Sequence, residues 1–226
     1  MTELSTQIHD YILDFHQRLT ADPFHRYRSW EHCYRFFMQQ PTDVDLASLH
    51  LGFYLASWGM YRGSTFLLQK DYRVHQPVVE ELLKPRYAAI RAVSLTDLRS
   101  ERGPKLITMI LELVRWIQQC YVDTIGEDAR RINVTDTLAT KILMGTLGCI
   151  PAYDRFFIDG IKQCGLRFSY LNRKNFSALI DYCVRHEGDF RQAQQRISAD
   201  GFIYPDMKVI DMYFWMRGAH VNGKTE

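Results

Sequence analysis

Apolar residues in this chain return at every third or fourth position almost throughout, and no run with period two is long enough to make a strand. That periodicity leaves helix packed on helix as the architecture available, an all-α fold of many helices. Ile8, Ile12, Phe15 and Leu19 place one face of a first helix inward. A turn at Asp22-Pro23 precedes a second helix over about 29–40. Thr42 or Asp43 caps a third, running to about Tyr61 with Leu46, Leu49, Phe53 and Ala56 inward. Gly63-Ser64 opens a helix or helical pair reaching Leu83, with a break at Pro77, and Pro85 and 93–103 read as connections. Pro104 starts a long helix over 105–122, with Ile107, Ile110, Leu111, Val114 and Ile117 on one face. After a loop at 126–131 comes a segment at 135–164, then helices near 173–185, 188–198 and 205–216. A frayed tail is expected from Gly218 to Glu226. One compact domain over 1–226 accounts for the pattern; if it divides, the lobes are 1–103 and 104–217.

With 226 residues, 46% hydrophobic and 24% charged, the chain has the composition of a folded soluble protein and enough length for a sizeable core. A net charge of +2 permits nucleic-acid binding through local arginine clusters without demanding it. Cys33, Cys120, Cys149, Cys164 and Cys183 show no CxxC spacing and are odd in number, which argues against a disulfide framework or a zinc module. No signal sequence or membrane-length apolar run is legible, so a cytoplasmic protein without a membrane partner is expected. The histidines form no metal-ligand set, and neither cofactor nor metal is expected. The sequence does not fix the oligomeric state; a monomer is the expectation.

The most informative stretch is Thr137-Leu-Ala-Thr-Lys-Ile-Leu-Met-Gly-Thr-Leu-Gly-Cys-Ile-Pro-Ala-Tyr-Asp154. It reads as an apolar helix, a glycine turn, a proline and an aspartate opening the next helix. A carboxylate there sits at the positive end of a helix dipole, which favours its ionised form. Such a group can stabilise a cationic transition state; it can equally be an ordinary N-cap.

The stretch Ala139–Asp154 resembles the middle of the helix-hairpin-helix DNA glycosylase superfamily, with Cys149-Ile-Pro-Ala-Tyr-Asp154 at the place where that family presents its catalytic aspartate. The resemblance implies a helix-hairpin-helix element and hydrolysis of the N-glycosidic bond of a damaged or modified base in double-stranded DNA. Asp154 would stabilise the sugar oxocarbenium ion and orient water. The base would be flipped out of the duplex into a pocket. This chain departs from the family at Arg131-Ile-Asn-Val-Thr-Asp136, which lacks the Gly-x-Gly hairpin turn, and at Thr135–Asp136, where bifunctional members carry a lysine. A monofunctional enzyme follows, with Arg130, Arg131 and Lys141 taking over phosphate anchoring.

Around that aspartate, Trp58 and Tyr61 are candidates to stack on an extruded base, Tyr153 to join the pocket, and Arg62 and Arg155 to contact DNA. Packing within the core explains Trp58 equally. Arg26, Arg28 and Arg35 interleave with Tyr27, Trp30 and Tyr34, which suits backbone neutralisation with base stacking; an amphipathic helix with a basic outer face gives the same pattern. Arg26 and His32 also have the spacing of the Arg-x(4–6)-His motif of HEPN-type ribonucleases, an alternative chemistry with His32 as general acid or base. A third reading is a non-catalytic helical interaction module in which Asp154 only caps.

Overall fold

The computed structural model describes residues 2–63, 65–126, 132–168, 170–198 and 201–221. Among them the chain forms α1 (Thr2–Ala21), α2 (Ser29–Met38), α3 (Val44–Ser57), α4 (Gln76–Leu82), α5 (Leu95–Arg99), α6 (Gly103–Ile125), α7 (Asp136–Thr146), α8 (Arg155–Gln163), α9 (Arg173–Arg185), α10 (Glu187–Ile197) and α11 (Asp206–Val221), and no strand. The all-α expectation holds.

α7 is the axis of the molecule. Every residue from Leu138 to Tyr153 is buried, so this helix is enclosed on all sides. α2 and α3 pack on each other and on α7 from one side, and α6 packs on α7 from another. Trp30 of α2 donates its indole N–H to the Met144 carbonyl at 3.0 Å. A Cβ on Gly145 would run into the Tyr54 ring of α3, so glycine is what lets α3 approach. α8 and α11 make the most extensive helix pair. They cross at Gly160 and Gly218, where side chains would meet the Phe214 and Phe156 carbonyls. α1 lies on α10 and α11, burying Ile8, Ile12, Phe15 and Leu19. Burial of each such side chain stabilises by about 2 kcal/mol as an upper estimate.

Several boundaries differ from the sequence reading. α3 stops at Ser57 rather than near Tyr61, because Gly59 adopts φ +75° and turns the chain. Between Gly63 and His75 the described residues form 3-10 turns at Phe66–Gln69 and Tyr72–His75 rather than regular helix. The stretch read as a connection at 93–103 contains α5, opened by a Ser94/Asp97 capping box. α11 continues through Gly218 to Val221, beyond the expected start of the tail.

The largest difference is the orientation of α3. The spacing of Leu46, Leu49, Phe53 and Ala56 suggests an inward face, yet these four are exposed, while Ala47, Leu51, Tyr54 and Leu55 are buried. The helix carries two apolar stripes, and Tyr54 against Gly145 selects the other one.

Candidate active site at Asp154

The approach to Asp154 is fixed bond by bond. Thr135 caps α7 by accepting from the Leu138 N–H, and the helix ends where Gly148, at φ +61°, donates its N–H to the Leu143 carbonyl at 2.8 Å. An extended strap then runs back along α7. Thr137 donates to the Tyr153 carbonyl at 2.8 Å, and the Tyr153 N–H donates to Thr140 Oγ1 at 3.0 Å. The Ala152 N–H donates to Asp211 Oδ1 of α11 at 3.0 Å. Asp154 emerges from the strap to open α8: Oδ1 accepts from the Phe157 N–H at 3.1 Å, and Oδ2 pairs with Lys141 Nζ at 3.1 Å. The Asp154 side chain is 15% exposed and that of Lys141 4%.

A second ion pair lies deeper. Lys208 Nζ donates to Asp211 Oδ2 at 2.8 Å, with both side chains almost wholly buried. Burial pushes the Asp211 carboxyl above its ordinary range, with Lys208 opposing that shift. The two ammoniums share an aromatic neighbour. Lys141 and Lys208 sit over the Trp58 ring at 5.0 and 4.8 Å, and Lys208 also over Phe15 and Trp30 at 5.1 Å each. Tyr27 stacks on Trp58 at 4.3 Å, and Trp215 meets it edge-on at 6.5 Å. The Trp58 indole N–H is buried and meets no acceptor among the described residues.

The expected site residues thus scatter. Asp154 occupies the N-cap place. Trp58 is half-buried, but its ring is already covered by Tyr27 and two ammoniums, so it offers no free face to a base. Lys141 is inside, paired with Asp154, where no backbone phosphate reaches it. Tyr153 is buried against Phe157 and Phe168. Tyr61 is half-buried, its hydroxyl 2.7 Å from His75 Nε2; His75 Nδ1 lies 2.5 Å from the Tyr121 hydroxyl. Burial drives the His75 pKa down to about 3, so it is neutral. Arg155 is exposed and pairs with Asp159 at 3.8 Å, and Arg62 is exposed and folded over Gly59. Arg26 is exposed and donates to the Tyr27 hydroxyl at 3.0 Å. Arg28 is half-buried between the Leu19 carbonyl and Glu31. Arg130 and Arg131 lie outside the described residues. His32 stands exposed on α2, and no hydrogen bond joins it to Arg26.

Residues of 60–63, 65–70 and 132–138 border a cleft of about 750 Å³, lined by Met60, Arg62, Phe66, Lys70, Asn133 and Leu138 among others. Leu138 of the cleft lies one turn of α7 before Lys141, while neither Lys141 nor Asp154 lines the cleft itself. Lys208 and Asp211 escaped the sequence reading, although two charges inside the apolar stripe Met207–Met216 were a usable signal of a buried pair. The strap threonines gave no such signal.

No described helix is long and apolar enough to cross a membrane. No protein-family model, curated protein or solved structure matches the chain.

Proposed function

We propose that the protein is a monofunctional N-glycosyl hydrolase that releases a damaged or modified base from double-stranded DNA, with Asp154 as its essential carboxylate. The observation that supports this reading is the immobilisation of Asp154 at the head of α8 by Lys141, which stands one turn of α7 beyond the cleft residue Leu138. As the C1′–N bond of the nucleotide breaks, positive charge builds on the sugar. A carboxylate that does not have to reorient stabilises that charge without reorganisation cost and can orient the attacking water. Lys141 keeps Oδ2 from swinging away. Met60, Phe66 and Leu138 supply an apolar pocket wall for the flipped base in place of Trp58. Arg26 and Arg155 are exposed cations for strand phosphates.

One observation favours a second reading. Both Asp154 oxygens already have internal partners, which is what a capping residue in a non-catalytic interaction domain needs. Asp154→Asn separates the two when Lys141→Met is made in the same chain and compared with Lys141→Met alone, because Asn caps as well as Asp and no buried ammonium is then left without its counter-ion. On duplexes carrying a panel of modified bases, the wild type should leave abasic sites revealed by alkali. The double variant should lose about a hundred- to thousandfold in rate against Lys141→Met while staying folded. Base release that is equal in these two proteins, or absent from both together with duplex binding, overturns the enzyme.

A further inference from the structure

α3 is apolar on both sides. Its inner residues pack on α7, while Leu46, Leu49 and Phe53 face outward at 41, 46 and 61% exposure. These three and the exposed Ala56 recur at alternating spacings of three and four, the a/d repeat of a two-helix seam. A helix that is hydrophobic all round is normally covered all round, yet nothing among the described residues covers this face. The remaining exposed large hydrophobics, such as Phe24, Trp116, Tyr170 and Ile203, lie on other elements, so the stripe is a concentration and not scatter.

The ends of the helix carry opposite charge. Asp43, which caps the helix, and Asp45 stand at its N-terminus; Arg73 at 4.0 Å and the Tyr72 and Gln76 side chains engage Asp45 and leave that end with a net single negative charge, while Arg62 folds over Gly59 just past the C-terminus, exposed and in no ion pair among the described residues. Two such helices laid antiparallel across a two-fold axis would set Leu46 against Phe53 of the other copy and Leu49 against itself. Both acidic ends would then meet an arginine. A parallel pair would set acid on acid. From this self-complementarity we infer that α3 is a homodimerisation helix whose occupant is a second copy of this chain. The inference is independent of base excision, and it gives Arg62 a partner other than DNA.

The test is the mass of the full chain by sedimentation equilibrium across micromolar concentrations, since a seam this short implies modest affinity. The expected mass climbs from 26.6 kDa toward twice that value. Phe53→Glu should stay monomeric with an unchanged circular-dichroism spectrum, because Phe53 is 61% exposed and outside the buried core. Arg62→Glu should weaken association about tenfold. Leu49→Cys should form an intermolecular disulfide above the wild-type background. Leu46→Cys should not, because in an antiparallel pair its two copies are about 10 Å apart along the axis. A wild type that is monomeric throughout, a dimer that survives Phe53→Glu, or equal cross-linking at both cysteines overturns the assignment.

Discussion

At the scale of single residues, the buried charges and the buried imidazole carry the sharpest consequences. His75 is neutral in the fold because burial lowers its pKa from 6.5 to about 3, whereas the unfolded chain titrates it near the ordinary value. Between those limits the unfolded state binds the extra proton. The stability His75 allows is therefore fully present above pH 6.5 and is lost progressively as pH falls toward 3, by at most about 1.4 kcal/mol per pH unit. Urea unfolding across that window should show this slope in the wild type and a shallower one in His75→Gln. Lys208 and Asp211 make the second case. Lys208→Met alone leaves a buried carboxylate unpaired and should cost about 3–5 kcal/mol. Adding Asp211→Asn should recover much of that, since the amide oxygen can still accept from Ala152 while the orphan charge is gone. If the double variant is as unstable as the single, the pair is not what the lysine stabilises.

At the scale of elements, packing decides what periodicity leaves open. The α8–α11 crossing depends on glycines at 160 and 218, so Gly160→Ala should lower stability by about 1–3 kcal/mol or more through overpacking; a neutral effect in chemical denaturation would mean the helices can separate. α1 and α6 were legible in the sequence because each has one apolar stripe and a polar remainder, and the capped start of α8 was legible in Asp154. α3 was misoriented because two stripes compete on it, and only the Tyr54–Gly145 contact chooses between them. The Lys141–Asp154 pair was hidden for a different reason. A lysine in the middle of a helix reads as surface charge unless its partner is known, and that partner is brought back only by the strap that Thr137, Thr140 and Asp211 fold. The sequence offered Trp58 as a residue to stack on a base or as core, and its place as shared aromatic neighbour of two ammoniums belongs to tertiary structure alone.

At the scale of the whole molecule, the sequence supports one all-α body, and the structure has α1 against α10 and α11 and α2 and α3 against α7, so the two ends of the chain share a core. If two copies associate through α3, the melting temperature should rise with protein concentration, and Phe53→Glu should abolish that dependence. The enclosure of residues 138–153 reaches further. The segment that delivers Asp154 has no local fold of its own to fall back on, since its anchors lie on α7 and α11 and its surroundings are the core itself. Its amides should exchange with solvent only when the molecule as a whole opens, among the slowest in the chain. The carboxylate would then hold its place until the last cooperative unit gives way. Partial unfolding at the surface would leave it untouched, and any activity it supports would disappear in a single step with the fold.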